Sequence, residues 1–239
     1  MPSDLPAAPL ASDLTEARFT ARPNRFIVLA TCDGKEVRAH LPDPGRLEDL
    51  LTPGCRLWLE PAPQGSPRRT AWSARLVETP DGERVSVDTL LPNRLVRAAL
   101  EAGALPELAP YQLSRAEPRV GSSRFDFLLT VPPDTASVEI GPAVPPPLLP
   151  PLLLEVKGVS MLDGERALFP DAVTARGARH VRELGELAAS GDWAAAVFFL
   201  VQRARAPRWL LPVRSIRPSP TPSPRPAGQA SGSSPAAPP

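Results

Sequence analysis

At 239 residues and a net charge of +1, the chain is long enough to bury one or two cores without disulfides, and it carries no global pull toward nucleic acid or membrane. Two cysteines, Cys32 and Cys55, lie in separate apolar segments without metal-ligand spacing, and only two histidines accompany them, which argues against a zinc site and reads as core thiols. The first 13 residues have no basic, then apolar, leader pattern, and nowhere do 18 apolar residues run together, so the expectation is a cytoplasmic protein with no membrane partner.

Residues 1–17 are polar and Pro/Ala-rich and read as a mobile lead-in. Arg25 to Ala30 then runs into Asp33-Gly34, with Lys35 to Leu41 following, the strongest short-range hairpin signal. Pro42-Asp43-Pro44-Gly45 makes a turn, Arg46 to Leu51 one helical turn, and Pro53-Gly54 closes it. Strands are expected at Cys55–Glu60, Thr70–Glu78 and, after Asp81-Gly82, Arg84–Val87. Five short strands of this kind predict an OB-like β-barrel over residues 18–90.

Pro92 near the first position and Gly103 at the end bracket a helix with Leu95, Val96, Ala99 and Leu100 as its apolar stripe, and a second domain, 91–203, is placed here. Strands Glu117–Val120 and Arg124–Leu129 follow. Residues 131–151 hold eight prolines, which cannot donate to a ladder, and read as a Pro-rich insert before the strand Leu152–Lys157. Asp171 is a good N-cap for a helix that turns Val173, Val181, Leu184 and Leu187 inward. Trp193 to Arg203 is a nearly continuous apolar run, read as a strand buried on both sides. From Ala204 the chain becomes a Pro/Ser/Arg-rich tail, 204–239, too poor in large apolar residues to fold alone. Helix, three strands, helix, strand is the order of the PD-(D/E)xK nuclease core, giving a mixed α+β chain: an OB-like barrel, then an α/β nuclease-like domain.

Alternation in Leu152–Lys157 sends Glu155 and Lys157 to one wall and Val156 to the other. If this strand pairs with Arg124–Leu129, Asp126 comes alongside Glu155, and two carboxylates and an ammonium converge. Hard oxygen ligands of this kind, Asp126 and Glu155, hold Mg²⁺ or Mn²⁺ against a phosphate, while Lys157 orients or helps deprotonate water. The chain has 25 arginines and lysine only at 35 and 157, so lysine at 157 is a choice: its proton can be given up where that of arginine cannot. An edge strand with a solvated ion pair, worth roughly 0–1 kcal/mol, would use the same residues. Arg176 and His180, four apart on the second helix, share a face able to grip a phosphate, although a charged helix face also serves solvation alone.

Arg25-Phe26, Ala39-His40-Leu41-Pro42-Asp43-Pro44-Gly45-Arg46-Leu47, Leu91 to Val96, Ser123 to Phe127, Leu154 to Lys157 and Phe169 to Gly177 occur together and in order, and in this the chain resembles the sugar fermentation stimulation protein family (SfsA). The resemblance implies an OB-like domain joined to a nuclease-like one, DNA binding, and a role in sugar (maltose) metabolism. It also strengthens the expectation of a divalent-metal site at Asp126, Glu155 and Lys157. Three functions follow. The first is a DNA-binding protein, RNA being the other candidate, with phosphate contacts from Arg46, Arg124, Arg176 and His180. The second is an Mg/Mn-dependent nuclease or phosphodiesterase, and the third an interaction protein that docks partners on its proline-rich segments. The segment after Arg203 departs from the family pattern and contains no acid, so a frameshifted ending or a lineage-specific disordered tail is expected there.

Overall fold

The computed structural model describes residues 13–133, 149–163, 166–169 and 175–203, and the side chains of 163, 166 and 175–178 fall outside that description. The first sheet comprises β1 (Thr15–Asn24), β2 (Ile27–Cys32), β3 (Lys35–His40), β4 (Arg56–Pro61), β5 (Trp72–Glu78) and β6 (Arg84–Ser86), in the order β3-β2-β1-β4-β5-β6. A parallel pairing of β3 with β5, Ala39 to Trp72 and His40 to Ser73, closes the first five strands into a barrel of OB type. The β2–β3 hairpin turns at Asp33 and Gly34, both at positive φ, as a two-residue primed turn demands. Val28 and Ala30, and Leu57 and Leu59, alternate along their strands and fill the interior with Ala39, Ala74 and Val77.

The barrel's fifth strand is β1, not β6. β1 begins at Thr15, inside the stretch expected to be a mobile lead-in, and pairs with both β2 and β4. Only Ala17 and Phe19 of its ten residues are buried, so its alternation is faint and its strand character comes from its two neighbours.

The second domain begins with α1 (Leu91–Glu101), entered through Pro92 and left through Gly103 at positive φ. β7 (Gln112–Ala116), β10 (Phe127–Thr130), β11 (Leu152–Val159) and β14 (Ala194–Val201) form a sheet ordered β14-β11-β10-β7, antiparallel except for the β11–β14 pair. Between β7 and β10 a tight hairpin, β8 (Arg119–Val120) with β9 (Ser123–Arg124), stands where a longer strand from Glu117 was expected; Glu117 at positive φ, followed by Pro118, interrupts it. A second small hairpin, β12 (Met161–Asp163) with β13 (Arg166–Leu168), precedes α2 (Ala175–Ser190).

Alternation along β11 divides the domain into three layers. Leu152, Leu154 and Val156 face α1, packing with Val96, Ala99 and Phe127. Leu153 faces α2, packing with Leu184, Ala188, Phe125 and Ala195. Two expectations are corrected here. Val181 is exposed, leaving Leu184, Leu187 and Ala188 as the inward stripe of α2, and β14 is an end strand among the described residues, fully buried only at Ala195 and Ala196. Asp171, Val173, most of the Pro-rich insert and the whole tail lie outside the described residues. Among those described, no helix is long and apolar enough to cross a membrane.

Two polar clamps join the domains. Arg203, just after β14, donates from Nε to Glu83 Oε2 at 2.7 Å, both side chains being nearly sequestered. Buried Asp88 takes Arg75 from the barrel and Arg94 from α1, at 3.1 and 2.6 Å.

Candidate nucleic-acid and metal site

The β10–β11 ladder runs Leu129 to Leu152, Leu128 to Leu153 and Phe127 to Leu154, and there β10 ends. The same register sets Asp126 opposite Glu155, but the strands have parted, and Asp126 takes over the next ladder bond with its side chain: Val156 N–H donates to Asp126 Oδ2 at 2.7 Å. The other oxygen, Oδ1, accepts from Asn93 Nδ2 in the first turn of α1 at 2.6 Å. Both carboxylate oxygens are thus fixed by donors on two different elements.

Glu155 and Lys157 share the α2 face of β11 as the alternation requires, and Lys157 Nζ donates to Glu155 Oε1. His180 comes down from α2 with Nδ1 3.4 Å from the same oxygen, its ring edge-on to Phe125. Glu155 is 5% exposed, so a carboxylate stands in the interior with a lysine and a histidine as its company. Burial, then the nearby Glu155 carboxylate, raises Asp126 above the usual carboxylate range against the pull of Val156 N–H, Asn93 and Lys157.

Beside this cluster a cavity of about 610 Å³ opens between the β8–β9 hairpin and α2, lined by Arg119, Ser123, Arg124, Arg179, His180 and Glu183 among others. Glu183 spans it, accepting from the hydroxyls of Ser122 and Ser123.

Of the residues singled out from sequence, Asp126, Glu155, Lys157 and His180 therefore meet, and Arg124 stands exposed at the adjoining cavity, 3.7 Å from Glu117. Arg46 is exposed on the barrel, outside this cavity, its carbonyl held by Arg22. Arg176 belongs to α2, but its side chain is outside the described residues. Asn93, Arg119, Arg179 and Glu183 were not legible as site residues. Glu183 sits four positions after Arg179, the spacing that puts both on one helix face, and this was the one available signal.

As ligands, the two carboxylates are hard oxygen donors but do not enclose an ion. Among the described residues no group of three or more His, Cys, Asp and Glu side chains is arranged as a metal cage. Two carboxylates suit a cation that keeps water and phosphate in its remaining positions, which is how Mg²⁺ is generally held.

An OB barrel followed by a mixed-sheet domain, with carboxylates and a lysine at the fork of its central hairpin, defines a two-domain class of protein. The family model described as the SfsA N-terminal OB domain matches residues 21–87, and that of the sugar fermentation stimulation protein RE domain matches residues 90–218. The chain belongs to the sugar fermentation stimulation protein family. Its relatives include the sugar fermentation stimulation protein homologs of Moorella thermoacetica, 45% identical over 197 residues (82% of this chain, 78% of the relative), and of Pyrobaculum arsenaticum, 40% identical over 195 residues (80% and 75%). Among solved structures the chain resembles Pyrococcus furiosus SfsA in complex with Ca²⁺, with TM-score 0.66 and 28% identity, over 82% of this chain and 76% of that one.

Proposed function

We propose that the chain binds DNA, holding a divalent cation, Mg²⁺ or Mn²⁺, between Asp126 and Glu155 and a backbone phosphate. The observation that carries this reading is the meeting of Asp126, Glu155 and Lys157 at the point where β10 and β11 part. The mutual repulsion of the two carboxylates, which helps to raise Asp126, is what a shared cation would relieve. The solved relative's complex with Ca²⁺ supports the choice of a divalent cation.

Bound there, the cation would supply Lewis-acid polarisation of a phosphoryl oxygen. The chain's own residues do the rest. Asn93 and the Val156 N–H fix the Asp126 carboxylate in one orientation. Lys157, 21% exposed in its side chain, offers its remaining protons to water or phosphate. Arg124 and His180 meet phosphates next to the cation, and the phosphate contacts expected of Arg46 and Arg176 would add to them. Binding of this kind is tuned to charge and shape more than to base sequence. The relatives' names support a part in sugar fermentation, and with it goes the proposal of a role in regulating sugar (maltose) metabolism in the cytoplasm of a bacterial cell.

A second reading, phosphodiester cleavage, is favoured by Lys157, a residue able to act on the attacking water in a chain with 25 arginines and one other lysine, Lys35. The test is incubation of the purified chain with labelled single- and double-stranded DNA and RNA in Mg²⁺, Mn²⁺ or Ca²⁺, beside Asp126→Asn and Lys157→Ala. Cation-dependent binding lost in Asp126→Asn supports the site, and cleavage lost in both variants makes the protein a nuclease. Binding that is equal in all three proteins and indifferent to the cation overturns it.

A further inference from the structure

The cavity between the β8–β9 hairpin and α2 is unusual in its charge. Arg119, Arg124 and Arg179 line it, and among the described residues Glu183 is the one carboxylate on its wall. Glu183 is turned onto Ser122 and Ser123, and Arg124 has an exposed Glu117 at 3.7 Å. Arg119 and Arg179 have no carboxylate within ion-pair distance among the described residues, although the molecule as a whole is nearly neutral. Two guanidiniums left without partners across one concavity are a site for an anion of matching charge.

An internal phosphodiester carries one negative charge, whereas a terminal phosphate carries about −1.5 to −2 and three acceptor oxygens. The cavity, about 610 Å³, has the size of a small-ligand pocket and is recessed between two elements, where a track for continuous backbone would spread its charges along a groove. His180 belongs both to this wall and to the carboxylate cluster, its Nδ1 lying 3.4 Å from Glu155, so a group seated here is next to the metal site.

We infer that this cavity takes the terminal phosphate of a nucleic-acid strand, gripped by Arg119, Arg124 and Arg179, so that the protein engages strands from a phosphorylated end. The inference rests on the proposed nucleic-acid function and adds its substrate class. Glu183 acts as a positioning residue: by tying the hairpin to α2 through Ser122 and Ser123 it sets the spacing between Arg119 and Arg179.

The experiment is a titration of the full chain, in Ca²⁺, with one labelled oligonucleotide prepared with a 5′-phosphate, with a 3′-phosphate, or with hydroxyls at both ends. One phosphorylated form is expected to bind about tenfold more tightly than the hydroxyl form, as two charge-assisted contacts imply. That ratio is expected to fall to near one in Arg119→Ala and in Arg179→Ala, both surface changes that leave the fold intact by circular dichroism. Wild-type binding indifferent to the end phosphate overturns this inference alone, and binding of none of the oligonucleotides overturns the proposed function with it. A nucleoside monophosphate that competes as strongly as the strand would overturn the assignment to a strand end.

Discussion

Asn93 Nδ2 donates to Asp126 Oδ1 at 2.6 Å, so a residue in the first turn of α1 controls a carboxylate on the far side of the α1–sheet interface. That bond opposes the effects of burial and of Glu155 on Asp126. Asn93→Ala is therefore expected to raise the Asp126 pKa further and to weaken divalent-cation binding by about 10–100-fold, the usual cost of losing an orienting partner. Calcium titrations of the two proteins at several pH values would show it: affinity falls as pH drops through the Asp126 pKa, and the fall begins at higher pH in the variant.

Gly158 has its missing Cβ 2.8 Å from Gln202 Nε2 and 3.0 Å from Pro92 Cγ. The amide can swing away, but the proline ring opens α1 and cannot. Gly158→Ala is expected to cost about 1–2 kcal/mol by overpacking, read as a lower urea midpoint with an unchanged m-value. Adding Gln202→Ala should recover part of the loss cheaply, because Gln202 Oε1 is buried without a hydrogen-bond partner among the described residues.

Arg203 and Glu83 have side-chain exposures of 11% and 2%. Arg203→Ala strips a buried carboxylate of a major partner and is expected to destabilise the chain by about 3 kcal/mol. Replacing both at once, Arg203→Met with Glu83→Leu, should cost less than Arg203→Ala alone, and urea unfolding of the three proteins compares them.

Burial, reinforced by Arg68 and Arg75, holds His40 below its ordinary 6.5. Because the folded value lies below the unfolded one, the unfolded chain takes up the proton more readily. The contribution of neutral His40 is complete above 6.5 and is lost as pH falls from 6.5 toward the depressed value. His40 pairs with Ser73 at the seam that closes the barrel, so thermal unfolding of the wild type is expected to weaken more steeply over that window than that of His40→Asn.

What the sequence made legible follows the strength of local signals. Asp33-Gly34 placed the first hairpin, Pro92 and Gly103 bracketed α1, and the alternation through Leu154-Glu155-Val156-Lys157 set which side chains share a wall. β1 and β7 were missed because Thr15–Asn24 and Gln112–Ala116 are mostly polar and owe their strands to the neighbours they pair with. β14 read as doubly buried because its residues are uniformly apolar, but composition does not say that a strand ends its sheet. For the site, residues close in sequence or fixed by ladder register could be joined in advance. Asn93 lies 33 positions before Asp126, and bringing Arg119 and Arg179 to one cavity needs a helix packed against a hairpin, so neither had a local signature.

The fork in the β10–β11 hairpin lies at its open end, whereas residues 131–151 join the strands at the other, beyond the Leu129–Leu152 pair. The length of that connection and the chemistry at the fork are thus independent variables. Three ladder pairs stand between them, so residues can be gained or lost in the proline-rich stretch without moving Asp126 relative to Glu155. A lineage is free to rewrite this connection while keeping its carboxylates in place, and an experimenter can use it as an insertion point for a label or a partner domain.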